Sequence, residues 1–327
     1  MKRAPSLARF ALTTVSVVTL LACVRAGQTG DAIVAFDAYA AGPAVANGGQ
    51  LCGQNSPKPL TFPAAHGFTV TLQQATMTIG AVYLIEGQYN GGSANTSCFE
   101  NGTYCGEVPG AVGAGQSPLG LNLLCPDPTE FSVRGNGTAD LAGVAEVWLT
   151  GGLHSCTATS GGSTCGAAGP DINATVDPTP IVELQGTATN GTVTYDFQAT
   201  VTIQQTNRGL TRMPGLPGDN PICKQRIVEV FPLALQLYQG GNLYLTVDPR
   251  GWFDEVDFTQ PTCPIGTSSM CAGLQQVSGE GASALYEIPD TNSSTIGLQL
   301  FTGILTGTLP SGGSAYAFSF AATPPPP

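Results

Sequence analysis

The sequence predicts an all-β protein, built as an antiparallel β-sandwich with long disulfide-stapled loops and few short helical turns. Three observations predict it: segments of strand length in which apolar and polar residues alternate, turn-forming residues between them, and cysteine pairs that bracket short polar loops. Residues 67–86 are the strongest strand signal of the N-terminal half, and residues 73–75 interrupt their alternation, which predicts a β-bulge. Purely parallel sheets need helical crossovers, and because the sequence suggests none, antiparallel pairing is favoured.

Turn signals separate the other strands. Asn190 and Gly191 predict a type I′ hairpin, and residues 239–241 predict a second hairpin. Residues 249–258 break the alternation and predict a single helical turn, with Asp248 as N-cap and Pro249 in the first position. Residues 275–288 and 295–305 are ambiguous, and the second fits a short amphipathic helix. Further strands are predicted at residues 31–39, 130–134, 142–149, 181–188, 192–204, 225–237, 242–247 and 316–320.

The N-terminus has the three-part pattern of a secretory signal peptide. Lys2, Arg3 and Arg9 precede an uncharged, largely apolar segment at residues 10–21. A membrane-spanning helix needs about 20 apolar residues, so this segment is too short to remain as one.

The segment ends in Leu-Leu-Ala-Cys at residues 20–23, which resembles the lipobox of bacterial lipoproteins. The resemblance implies that Cys23 carries acyl chains such as palmitate and becomes the first mature residue. The protein would then be exported and lipid-anchored at the cell envelope, with the outer membrane as its expected location. The alternative is ordinary cleavage after residues 24–26, which would discard Cys23.

These signals predict a simple domain order. Residues 1–22 are the signal peptide, 23–30 a tether and 323–327 a proline-rich tail. Residues 31–322 form the β-sandwich domain. If that domain contains two sheet pairs, the proline-containing segment 207–223 is their junction.

The composition fits an exported β protein and excludes several partners. Hydrophobic residues make up 42% of the chain and charged residues 10%, against about 25% charged residues in typical domains. Removing residues 1–22 deletes three basic and no acidic residues, which leaves 8 basic against 22 acidic residues and a formal net charge of about −14. Nucleic acids and anionic lipid headgroups need a basic surface, so neither is expected as a partner. A cation, a neutral saccharide or another protein is still allowed as a partner.

The spacing of the ten cysteines favours disulfides over zinc. Structural zinc sites favour CxxC spacing with histidine partners, whereas this chain has no CxxC and two histidines. Cys223 is left as an odd thiol. The predicted pairs are Cys98–Cys105, Cys156–Cys165, Cys263–Cys271 and Cys52–Cys125.

Two segments carry a further resemblance. Residues 67–86 and 243–258 together resemble segments of uncharacterised lipoproteins of Gram-negative soil bacteria. The resemblance covers a small part of the chain and implies compartment and fold, with no assigned chemistry.

The two histidines are the first residues to consider for metal binding or catalysis. His66 is predicted to lie in a loop, and His154 follows a predicted strand. If that strand continued, Glu146, Trp148 and His154 would share one face and could form a metal or saccharide site. Glycines at residues 151–152 predict that the strand ends first, so a loop histidine is favoured.

No catalytic residue can be assigned. A Gly-x-Ser-x-Gly nucleophile motif is absent from the sequence, and most thiols are expected to be paired. A glycosidase needs two facing carboxylates, and no spacing singles out a pair. The available acidic residues are Glu183, Asp196, Glu229, Asp254, Glu255 and Asp257.

Carboxylate and aromatic side chains are most concentrated at residues 248–257. Carboxylates there could hold Ca²⁺ together with backbone carbonyls, with Asp248, Asp254 and Asp257 as candidate ligands. Their spacing does not match an EF-hand loop, and no other cofactor is expected.

A structural role for this segment is favoured over calcium binding. Asp248 would cap the turn, Trp252 and Phe253 would plug one end of the sandwich, and residues 254–257 would face water.

These observations predict a cell-envelope lipoprotein that acts as a non-enzymatic binding or scaffold module. The membrane would be a partner through the N-terminal lipid, and a protein or saccharide partner is left open. Two alternatives are a secreted carbohydrate-active hydrolase, which needs facing carboxylates, and a metal-handling lipoprotein, which needs His66 or His154 beside carboxylates.

Overall fold

Strands dominate the computed structural model of the chain, as expected for segments rich in threonine, valine and aromatic residues. Residues outside the described part include Cys23, Cys98, His154, Cys223 and the segment 207–223. The structure describes residues 33–53, 55–86, 104–108, 118–138, 141–149, 155–159, 162–166, 177–203, 227–229, 233–266, 271–291 and 294–323.

The all-β fold class predicted from the sequence is confirmed. One α-helix, α1 (Thr295–Thr306), forms at the segment that fits an amphipathic helix, and 3-10 turns lie at Ala46–Gly49, Ala65–Gly67, Pro249–Phe253 and Gly281–Ser283. The strands are β1 (Ile33–Ala41), β2 (Leu60–Pro63), β3 (Thr69–Glu86), β4 (Tyr104–Val108), β5 (Leu119–Asn122), β6 (Thr129–Glu130), β7 (Gly135–Thr138), β8 (Leu141–Leu149), β9 (Ser155–Thr159), β10 (Gly162–Gly166), β11 (Asp177–Thr189), β12 (Thr194–Ile203), β13 (Ile227–Glu229), β14 (Leu235–Gln236), β15 (Asn242–Val247), β16 (Gln275–Ser278), β17 (Leu285–Ile288) and β18 (Tyr316–Ala321).

The long strand β3 joins the two halves of the main sheet, whose order is β16-β17-β12-β11-β3-β4-β7-β1-β15-β18. Its N-terminal half pairs with β11, β2 and β5, and its C-terminal half pairs with β8 and β4. Gln74 lies opposite Gln185. The next pair joins Leu72 to Gly186, so Gln73 has no opposite residue in β11. The predicted bulge is therefore confirmed.

Two strand pairs are parallel, a feature that the predicted antiparallel sandwich did not include. β1 runs parallel to β15, and β12 runs parallel to β17. Alternation of apolar and polar residues determines which face of a strand is buried, and it carries no information on the direction of the neighbouring strand. The β1–β15 pair places Tyr39 opposite Tyr244.

The hairpin predicted at residues 239–241 is wrong. β14 pairs with β8, whereas β15 pairs with β1 and β18. The backbone of the predicted turn is used by β1 instead: Gly240 N–H donates to the Ala35 carbonyl at 2.8 Å, and Asp37 N–H donates to the Gly241 carbonyl at 3.0 Å. These bonds place the start of β15 beside β1.

The hairpin at Asn190 and Gly191 does form, between β11 and β12, but its turn is not type I′. A type I′ turn needs positive φ at both central residues. Gly191 has a φ of 83°, and Asn190 does not have a positive φ. The Asn190 side-chain oxygen accepts hydrogen bonds from the backbone of Thr192 and Val193, which closes a wider turn.

Inner faces of the strands enclose one apolar core. In β12, Phe197, Ala199 and Val201 are buried, as the alternation predicts. α1 covers the core with Ile296, Leu300 and other apolar residues. No helix in the described part of the chain has both the length and the apolar character needed to cross a membrane.

Two of the four predicted disulfides lie between cysteines whose side chains the structure describes, and both are present. Cys52 bonds Cys125 with their Cα atoms 5.6 Å apart, and Cys263 bonds Cys271 at 5.9 Å. The hairpin of β9 and β10 places Cys156 and Cys165 at paired positions of its ladder. The Cys98–Cys105 pair cannot be placed, since Cys98 lies outside the described residues.

Candidate functional site

The acidic turn, residues 248–257, begins as the sequence predicts. Asp248 caps the 3-10 turn by accepting a hydrogen bond from the Arg250 N–H at 3.1 Å, and Pro249 follows it. Both Asp248 carboxylate oxygens also accept bonds from the Arg250 guanidinium, at 2.6–3.0 Å. This bidentate pair raises the pKa of Arg250 and leaves the buried Asp248 with a full set of partners.

The aromatic residues of the acidic turn are buried, as predicted. Trp252 and Phe253 are both 0% exposed and belong to the core. Asp254 and Glu255 are exposed. These residues thus follow the structural role predicted for the turn.

Asp257 does not face water, contrary to the prediction, and is only 8% exposed. Its Oδ1 accepts hydrogen bonds from the Thr259 backbone at 2.9 Å and from the Thr259 hydroxyl at 2.5 Å, and its Oδ2 accepts one from Gln260 at 2.6 Å. Burial acts to raise the pKa of Asp257, but these hydrogen bonds outweigh it and hold the pKa below its ordinary value. The chain folds back after Phe258, and the Asp257 carboxylate stabilises that turn.

The three candidate calcium ligands do not converge. Asp248 is paired with Arg250, Asp254 is exposed, and Asp257 is held by its own turn. Among the described residues, one set of three ligand-type side chains lies within 4.8 Å: Cys52, Cys125 and Asp127. Its two cysteines form a disulfide, and Asp127 accepts hydrogen bonds from the backbone of Cys52 and Gly53. That set is therefore a structural staple and lacks free thiolates for a metal.

His66 lies near one carboxylate, that of Asp257. It lies in a 3-10 turn with a φ of 54°, and its exposed ring places Nε2 3.9 Å from Asp257 Oδ1. Glu146 and Trp148 both lie in β8, but His154 is outside the described residues. A metal-handling protein needs a histidine beside several carboxylates, and the described residues provide one His–Asp pair.

The carboxylates considered for glycoside hydrolysis are spread over separate elements. Glu183 and Asp196 are exposed on β11 and β12, and Glu229 is in β13. Asp196 lines a shallow cleft with Gln73 and Gln185 beside the bulge. A second small cleft, lined by Asp254 and Glu255, lies beside α1.

A different surface brings aromatic and charged side chains together. We name it the tyrosine platform, and its residues are Asp37, Tyr39, Glu130, Arg134 and Tyr244. Tyr39 and Tyr244 are half-buried on neighbouring strands, and their rings stack with centroids 5.6 Å apart and planes 14° from parallel.

Charged groups surround the Tyr39 ring. Glu130 lies opposite Tyr39 in the β6–β1 ladder, and Arg134 donates to Asp37 at 2.5 Å. The pKa of Tyr39 is raised, first by burial and then by Glu130 and Asp37, while Arg134 opposes the shift. Tyr39 therefore stays a neutral phenol at physiological pH.

The two tyrosines differ in their hydrogen bonds. The Tyr244 hydroxyl donates to the Thr323 carbonyl at 3.0 Å, which holds its ring. Burial, together with Tyr39, raises the pKa of Tyr244 to about 12. Within the described part of the chain, the Tyr39 hydroxyl and the Glu130 carboxylate make no side-chain hydrogen bond or ion pair. The platform thus combines a fixed ring with polar groups that are open to a ligand.

Sequence reasoning missed the platform because its residues come from three distant segments. Asp37 and Tyr39 belong to β1, Glu130 ends β6 with Arg134 shortly after it, and Tyr244 is in β15. The parallel β1–β15 pair and the antiparallel β1–β6 pair bring them together. The outward position of Tyr39 in an alternating strand was the one signal in the sequence.

No protein family, curated protein or solved structure matches this chain significantly. Function must therefore be inferred from the residues of the chain itself.

Proposed function

We propose that this protein is an exported, lipid-anchored component of the cell envelope that acts as a non-enzymatic binding or scaffold module. Its membrane partner would be reached through acyl chains on Cys23, at the outer membrane, with residues 23–30 as a tether. Two or more acyl chains give stable anchoring, whereas one gives marginal binding.

The tyrosine platform is the observation that supports a binding role. Four of its five residues lie on paired strands, which hold side chains in place better than loops do, and the Tyr39 hydroxyl and the Glu130 carboxylate have no partners in the described structure. By contrast, the acidic turn at residues 248–257 uses its Asp248 and Asp257 carboxylates internally.

The anchor is tested by detergent phase partition of the full chain made in a Gram-negative host. Wild type should enter the detergent phase, and Cys23→Ser should remain in the aqueous phase. Cys223→Ser is the matched control, since it removes a cysteine outside the lipobox and should partition like wild type. A Cys23→Ser protein that still partitions into detergent, or a native chain that begins at Gly27, would contradict the proposal.

A further inference from the structure

We propose that the tyrosine platform binds an uncharged oligosaccharide. This inference rests on the proposed function and names the ligand class of the same surface.

The chemistry of the platform matches a sugar ring. Pyranoses present C–H groups on their faces and hydroxyls at their edges, and each hydroxyl both donates and accepts hydrogen bonds. The stacked Tyr39 and Tyr244 rings supply aromatic surface. Glu130 accepts, Tyr39 both donates and accepts, and the Arg134 N–H groups that do not bind Asp37 donate.

The local charges disfavour an anionic ligand. Arg134 is neutralised by Asp37, so Glu130 remains as the unpaired charge of the platform. The acidic character of the whole chain adds to it, and both repel anionic polymers. A cationic ligand would gain one ion pair with Glu130, whereas the hydroxyls of a neutral sugar can bond to Glu130, to the Tyr39 hydroxyl and to the remaining Arg134 N–H groups together.

The neighbouring strand leaves room for more than one sugar unit. Ser319 of β18 lies opposite Tyr244, and Ala317 lies opposite Thr246. Both β18 residues are small and exposed. Residues 291–327 contain no Asp, Glu, Lys, Arg or His, so this flank of the platform is uncharged. A chain of sugars could therefore extend from Tyr39 across Tyr244 towards β18.

The platform is also preorganised. The Tyr244 hydroxyl is held by the Thr323 carbonyl, and Arg134 is held by Asp37. Side chains that are already fixed lose little conformational entropy when a ligand binds, which favours affinity from a small contact area.

The test is isothermal titration calorimetry of the full chain with six named hexasaccharides. Four are neutral: the hexamers of β-1,4-glucose, α-1,4-glucose, β-1,4-xylose and β-1,4-N-acetylglucosamine. One is anionic, the galacturonic acid hexamer, and one is cationic, the glucosamine hexamer. At least one neutral hexamer should bind more tightly than both charged hexamers.

Variants locate the site. Tyr39→Ala should weaken binding of the neutral hexamer by roughly tenfold, the upper range for a lost aromatic contact. Glu130→Gln should weaken it by about threefold to tenfold, as expected for one hydrogen bond. Tyr238→Ala and Glu280→Gln are matched controls, since each alters an exposed residue outside the platform and should bind like wild type.

Three results would overturn the inference: no neutral hexamer binds, a charged hexamer binds most tightly, or Tyr39→Ala binds as wild type does. Different results would contradict the proposed function and the saccharide inference. A chain that partitions into detergent but binds no neutral hexamer loses only the saccharide inference. A chain that binds a hexamer at the platform and cleaves it, as chromatography of the products would show, contradicts the non-enzymatic role alone.

Discussion

The acidic turn and the tyrosine platform place similar chemical groups in opposite situations. In the turn, Asp248 is bound by Arg250, and Asp257 is bound by Thr259 and Gln260. In the platform, the Glu130 carboxylate has no such partner among the described residues. Acidic residues that cluster in the sequence can thus be structural, whereas a site open to a ligand is assembled from residues far apart in the chain.

The largest expected effect concerns the aromatic plug of the acidic turn. Trp252 is 0% exposed, and truncating a buried aromatic residue typically costs about 3–5 kcal/mol. Trp252→Ala should therefore lower the midpoint of denaturant unfolding more than Asp248→Ala, which removes a cap worth about 1 kcal/mol and a partly exposed ion pair with Arg250 worth up to about 1 kcal/mol. Equal shifts for the two variants would mean that the turn is not held by its aromatic core.

A smaller effect is expected where α1 touches the same turn. A Cβ at Gly303 would overlap the Trp252 carbonyl, so backbone must move to accommodate it. Gly303→Ala should destabilise the protein by about 1–3 kcal/mol, as overpacking does. At an unconstrained helix position the same change would stabilise by about 1 kcal/mol. Thr302→Ala, at the neighbouring exposed position of α1, serves as the control and should not lower stability. A stabilising Gly303→Ala would show that α1 and the turn are not in close contact.

Much of the fold follows from local patterns in the sequence. Alternation predicts which faces of β3 and β12 are buried, and the interruption at Gln73 predicts the bulge. Cysteine spacing left Cys52, Cys125 and Cys223 without a local partner, and the preferred pair, Cys52–Cys125, is confirmed. The parallel partners β15 and β17 could not be predicted, because direction and neighbour depend on contacts between distant strands.

Less of the site could be predicted. The Asp248 cap and the buried Trp252 and Phe253 follow from turn chemistry and hydrophobicity. The burial of Asp257 does not, since it depends on the path of the chain after Phe258 and on Gln299 of α1, which accepts the Asp257 N–H. The platform needs the β1–β15 register, which no local pattern encodes.

A pH-dependent effect follows from the Asp257 carboxylate, whose oxygens all have hydrogen-bond partners. A carboxylate whose pKa is depressed in the folded state contributes stability above its unfolded-state pKa, and loses it as the pH falls through the folded-state value. The ordinary pKa of this carboxyl group is 3.8, so the stability that the ionised Asp257 contributes is fully present at pH 7. Wild type and Asp257→Asn should differ in stability at pH 7 and converge in strong acid.

The most direct test is the melting temperature of Asp257→Asn beside that of Glu130→Gln at pH 7. Both changes replace a carboxylate with an amide of nearly the same shape. Asp257→Asn turns an acceptor of the Gln260 amide into a donor and should cost about 1–3 kcal/mol. Each kcal/mol corresponds to about 2–4 °C in a domain of this size class. Glu130→Gln should leave the melting temperature unchanged, because its carboxylate has no partner among the described residues to lose. A lower melting temperature for Glu130→Gln than for Asp257→Asn would contradict the division between a structural turn and an open platform.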